Sequence, residues 1–189
     1  MGPREGTCPV SNQTDEFNEF TALFERTDSF DDYYRSDLTT LIRFLMHLGA
    51  SSEDAQEIAQ EAMMAVLKTW RCVDEPQAYA RAAAKTIFMR RIGKAKRDQD
   101  AAKRAWTPEQ HRSPFVSFAA EAESVMQMLR MLPPEQREVM AWTIDGYTPS
   151  QIAKATNQNA ATVRSHLRHA RASMKNHLAR HRNTTREEE

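Results

Sequence analysis

Between Leu132 and Leu178 three helical patterns follow one another with only two short breaks, and that spacing leaves few folds open. Pro133-Pro134 opens the first pattern, and proline is tolerated only in the first turn of a helix. The pattern runs to Ile144 and stops at Asp145-Gly146, since Gly reaches a left-handed cap at little cost. Thr148 then caps a short helix with Pro149 at its first position. Asn157 falls where a tight turn between helices needs a positive φ, and Asn is the best candidate after Gly. The last helix is predicted to start at Ala160 or Ala161. Short helix, tight turn, long helix is the sequence form of a helix-turn-helix.

The final helix has two faces. Val163, Leu167, Ala170, Met174 and Leu178 recur at steps of four or three, an apolar stripe that predicts docking on the preceding helices. One residue on, about 100° around the axis, lie Arg164, Arg168, Arg171 and Lys175. No acidic residue stands between Lys154 and Arg186 to pair with them. Most basic stripes are solvated faces, but an uncompensated one suits a phosphate backbone better than a neutral surface.

A hydrophobic content of 40% with only 5 Gly in 189 residues, carried in long periodic segments, predicts an all-α chain of two small helical domains. No apolar run approaches a membrane span, and no signal peptide is expected. Two cysteines, Cys8 and Cys72, make no framework, so a reduced, cytoplasmic protein is expected. The net charge of +0 hides a pattern. Residues 1–75 carry 6 Lys/Arg against 15 Asp/Glu, and residues 76–112 carry 10 against 3. Residues 113–147 carry 2 against 5, and residues 148–189 carry 8 against 3. Two acidic blocks each precede a basic one, which points to two nucleic-acid surfaces and at least one acidic surface for another partner.

Taken in order, residues 1–29 read as a partly disordered extension containing a short helix, Phe17 to Phe24, that ends at Thr27-Asp28-Ser29. Asp31 to Leu48 is a second helix with Tyr34, Leu38, Leu41, Leu45 and Leu48 as its stripe and Gly49 as its stop. Ser51 or Ser52 caps a third, which buries Ala55, Ile58, Ala59, Ala62, Val66 and Trp70. Its opposite side carries Glu57, Gln60, Glu61, Met64 and Lys68. Pro76 disfavours helix at Glu75, so Cys72 to Pro76 is a loop. A fourth helix, about Gln77 to Lys96, is small and apolar at first and ends in Arg90, Arg91, Lys94, Lys96 and Arg97.

At these residues the chain resembles a bacterial sigma factor. Asp54-Ala55-x-Glu57-x-x-Gln60-Glu61, followed by Pro76-x-Ala78-Tyr79, is similar to sigma domain 2, and Leu132 to Arg171 to sigma domain 4. With nothing but a linker between them, the resemblance is to the extracytoplasmic-function (ECF) group. It implies domain 2 at 30–97, a flexible linker at 98–120, domain 4 with its helix-turn-helix at 121–180, and a tail at 181–189. Asp54, Glu57, Gln60, Glu61 and Met64 would dock core RNA polymerase. Val73, Asp74, Glu75, Arg90, Arg91 and Lys94 would engage the −10 element of promoter DNA. Ala161, Thr162, Arg164, Ser165, Arg168, Arg171 and Lys175 would engage the −35 element. An anti-sigma factor is a further implied partner. Thr86, Arg90, Tyr79, Thr156 and Gln158 depart from the residues usual in that family.

The stretch from Asp98 to Ala120 has no sustained period. About 20 extended residues reach at most roughly 65–70 Å, enough for two sites about two duplex turns apart at about 34–36 Å each. His166 with His169, or His177 with His181, share a helical face, but no Cys or Glu completes a metal site and Arg168 and Arg171 would repel a cation. No phosphate loop or catalytic constellation is present, so neither cofactor nor enzymatic activity is expected. Two other readings compete: a response-regulator-type helix-turn-helix protein, which shares Thr162-Val163-x-x-His166-Leu167, and a helical adaptor whose basic end is incidental.

Overall fold

The structure is a computed structural model that describes residues 16–102 and 120–187, and every described element is a helix. These are α1 (Glu16–Leu48), α2 (Ser52–Thr69), α3 (Pro76–Ala102), α4 (Ala120–Arg130), α5 (Pro134–Ile144), α6 (Pro149–Thr156) and α7 (Ala160–Glu187).

The punctuation falls where side-chain chemistry puts it. Gly49, at φ +109, closes α1, with Gly49 N–H bonded to Met46 C=O and Ala50 N–H to Leu45 C=O. Ser51 caps α2, its hydroxyl accepting from Asp54 N–H at 3.1 Å. Pro134 stands at the start of α5. Thr148 and Gln151 form a reciprocal capping box on α6, and Asn157 ends that helix in the left-handed region at φ 54. Asn159 Oδ1 then accepts from Ala161 N–H at 2.8 Å and opens α7.

Three expectations are corrected. The helix does not break at Thr27-Asp28-Ser29, because these residues disfavour helix by less than about 0.7 kcal/mol each. The apolar stripe of α7 is buried at Val163, Leu167 and Ala170, but Leu178 is exposed, since among the described residues α7 packs on the short helices α5 and α6. Cys72 is in a disulfide, not a reduced thiol. The expected linker is helical as far as Ala102 and again from Ala120; its residues 103–119 lie outside the described residues, as do residues 1–15.

Helix α1 is central and packs against α2, α3, α4 and α5. Leu41, Phe44 and Leu45 of α1, Ile58 and Val66 of α2, Val139 and Trp142 of α5 and Val163 of α7 all belong to one apolar core. Phe44 meets Trp142 edge-on at 5.3 Å, and Trp142 meets Tyr147 likewise at 4.8 Å. The α1–α3 half and the α4–α7 half are therefore joined by a buried seam.

Candidate nucleic-acid interface

Burial of Val163, Leu167 and Ala170 against α5 and α6 fixes the rotation of α7. That rotation leaves Ala161, Thr162, Arg164, Arg168, Arg171 and Lys175 exposed, with Ser165 half-buried at the edge. Among the described residues no carboxylate pairs with any of the four cations. Small residues at the helix start and free guanidinium groups a turn later make a surface that can enter a major groove and bond base edges and phosphates.

The second basic surface is not free in the same way. Arg90 and Lys94 on α3 are exposed, but Arg91 turns towards α2. Its Nη1 lies 2.7 Å from Glu57 Oε2 and 3.8 Å from Asp54 Oδ1, and its Nη2 lies 3.5 Å from Glu61 Oε2. The Glu57 bond is the largest influence raising its pKa. Thus one cation expected at DNA bridges three carboxylates expected at polymerase. Asp54, Glu57, Gln60, Glu61 and Met64 do share the outer face of α2, and Leu67, also exposed, extends its apolar part beside Met64. In the loop before α3, Val73 is half-buried and Asp74 and Glu75 are exposed. Glu75 Oε1 pairs with Lys154 Nζ of α6 at 2.9 Å, an exposed pair that raises the pKa of Lys154.

Between these surfaces lies a polar cluster that hydrophobic periodicity does not reveal. Arg81, on the inner face of α3, is buried and holds both oxygens of Asp37 on α1, Nη2 to Oδ1 at 2.8 Å and Nη1 to Oδ2. Its Nε donates to Asp145 Oδ2, at the end of α5, at 2.5 Å. Burial works against the charged guanidinium, but the two carboxylates outweigh it and its pKa is raised. The Tyr33 hydroxyl donates to Asp37 Oδ2 at 3.0 Å, and burial raises its pKa. Lys85 pairs with Glu138 at 2.5 Å alongside. A cleft of about 400 Å³ opens beside the cluster, lined by Thr40, Gln77, Arg81, Asp145 and Tyr147 among others. Arg137 is a second unexpected bridge: it donates to the carbonyls of Leu129, Arg130, Leu132 and Leu48, closing the C-terminal ends of α4 and α1 together.

Sigma-70 region 2 matches residues 33–102, and sigma-70 region 4 matches residues 122–174, in that order along the chain. The chain belongs to the sigma-70 family. Region 2 followed by region 4 is the layout of the ECF group, so this is an ECF sigma factor, and the response-regulator and adaptor readings fall away. The fold is similar to that of the Bartonella quintana sigma factor RpoE, determined in complex with the anti-sigma factor NepR. That likeness has a TM-score of 0.68 at 17% identity and covers 80% of this chain and 97% of the other. No curated protein matches in sequence. Within the sigma factor, α2, the loop and α3 belong to region 2 and the helix-turn-helix to region 4. No described helix is long and apolar enough to cross a membrane.

Proposed function

We propose that this sigma factor, which directs promoter-specific initiation by RNA polymerase, docks the core enzyme through Asp54, Glu57, Gln60, Glu61 and Met64 on the outer face of α2. Val73, Asp74 and Glu75, with Arg90, Arg91 and Lys94, engage the −10 element. The start of α7 enters the major groove at the −35 element, where Arg164 and Arg168 read base edges and Arg171 and Lys175 hold phosphates. Residues 30–97 and 121–180 act as the two DNA-engaging units, the chain between them serves as the tether, and the protein works in the cytoplasm with no catalysis of its own. An anti-sigma protein is a natural partner, as for the RpoE neighbour.

The observation that carries this reading is the row of four exposed cations, unpaired among the described residues, on the long second helix of a capped helix-turn-helix. Holoenzyme binding to a randomised −35 library at two salt concentrations tests it. Arg164→Ala or Arg168→Ala should relax preference at one or two base pairs, at about 1–3 kcal/mol each. Lys175→Ala should weaken all sequences alike and lower the salt slope by about one unit. Uniform loss in all three variants would make α7 an electrostatic anchor and remove its base-reading role.

A further inference from the structure

The loop assigned to the −10 element runs from the end of α2 at Thr69 to the start of α3 at Pro76. Its outer part is open to solvent: Arg71, Cys72, Asp74 and Glu75 are exposed and Val73 is half-buried. Cys72 N–H donates to Thr69 C=O at 2.8 Å, and Tyr79 N–H donates to Glu75 C=O at 3.0 Å. These bonds finish each helix on its own, and neither ties one end of the loop to the other.

One side chain of α1 does join the two ends. The ring of Tyr33 packs on Trp70, the C-cap of α2, with centroids 5.1 Å apart and planes at 33°. Its hydroxyl lies 3.2 Å from Pro76 C=O and 3.0 Å from Asp37 Oδ2, and shares its one proton between them. Asp37 is gripped in turn by Arg81, whose Nη1 also donates to Gln77 C=O at 3.2 Å in the first turn of α3. Phe30, three residues before Tyr33, meets Trp70 edge-on at 5.3 Å. Tyr33 is buried, and burial together with Asp37 raises its pKa, so the hydroxyl stays a donor.

We infer that Tyr33 is a positioning residue for −10 recognition: its ring and hydroxyl fix the spacing of Trp70 and Pro76, so that residues 71–75 meet an extruded base already shaped. The inference rests on the assignment of that loop to the −10 element and deepens it. A loop anchored at both ends has fewer shapes to lose when it closes on a base. Tyr33 is buried and touches no DNA itself; it acts through the loop.

Tyr33→Phe keeps the ring on Trp70 and removes only the hydroxyl. Tyr34→Phe makes the same chemical change at the adjacent, half-buried tyrosine and is the control. Full-length chains are assembled with core polymerase under dithiothreitol, so that the Cys72 disulfide does not hold the loop. Three quantities are read on a promoter selected by the wild-type holoenzyme. They are core affinity, the rate at which permanganate-reactive thymines appear at the −10 element, and the ratio of that rate to the rate on single-base −10 variants. Tyr33→Phe should slow opening by about three- to tenfold, the worth of one hydrogen bond, and shrink the ratio, with core affinity unchanged. In a chain already carrying Val73→Gly and Asp74→Gly, adding Tyr33→Phe should change opening by less than about twofold, because residues that act through one loop are not additive. Equal opening in Tyr33→Phe and Tyr34→Phe, a core affinity that falls as far as opening does, or full additivity with the loop variant overturns the inference and leaves the loop assignment standing. If Val73→Gly/Asp74→Gly alone opens the promoter like the wild type, the loop assignment fails, and the inference with it.

Discussion

His47 sits on α1 near Asp145 and Arg43, and burial lowers its pKa below the ordinary 6.5; Arg43 adds to this and Asp145 opposes it. The folded state thus prefers neutral imidazole. Its contribution is complete above the unfolded value of 6.5 and is lost as pH falls from there through the lower folded value. Urea midpoints should therefore drop between about pH 7 and pH 5 by more in the wild type than in His47→Gln. Parallel pH dependence in the two proteins would show that His47 does not carry the effect. The same part of the molecule marks where reading a sequence stops. Asp37 and Arg81 occupy inward positions of their helices, four residues from Tyr33 and from Gln77. A charge is placed at the surface by default, and only its partner, distant in sequence, permits burial. The spacing of Tyr33, Asp37 and Leu41 was a signal, but the neighbouring stripe through Tyr34 and Leu38 has the same period, and both of those side chains are only half-buried.

At the scale of elements, legibility follows the strength of local punctuation. The helix-turn-helix was readable nearly to the residue because Pro134, Thr148, Pro149 and Asn157 each do something few other residues can. The continuity of α1 through Thr27-Asp28-Ser29 was not, since weak helix formers mark a boundary only when nothing else supports the helix. Asn157 offers the cleanest check. Its left-handed backbone should make Asn157→Ala destabilising by about 1 kcal/mol, within the roughly 1–2 kcal/mol that this conformation costs an ordinary residue. Asn157→Gly should be nearly neutral, because losing the side chain offsets little and the conformation becomes free. Chemical denaturation of both variants decides it: equal losses would locate the role of Asn157 in its side chain and not in its φ.

For the whole molecule, a core shared across the seam predicts shared unfolding. Phe44 and Trp142 are buried by each other's half, so wild-type protein should melt in a single calorimetric transition. Asp145→Lys should split it in two, and two transitions in the wild type would show that the seam is too weak to couple the halves. Arg91 has a different consequence. Its carboxylate partners, Asp54, Glu57 and Glu61, lie on the face proposed for polymerase, while Arg91 itself is proposed for DNA. These carboxylates act as an internal counterion, and a polymerase that claims them hands the cation over to the nucleic acid. Each such exposed pair is worth no more than about 1 kcal/mol, so the bias amounts to a few-fold, but it has a direction: protein first, promoter second. Glu57→Gln/Glu61→Gln should accordingly raise the affinity of the free chain for promoter DNA while weakening its hold on core enzyme. Unchanged DNA affinity in the free double variant would mean that assembly has no built-in order.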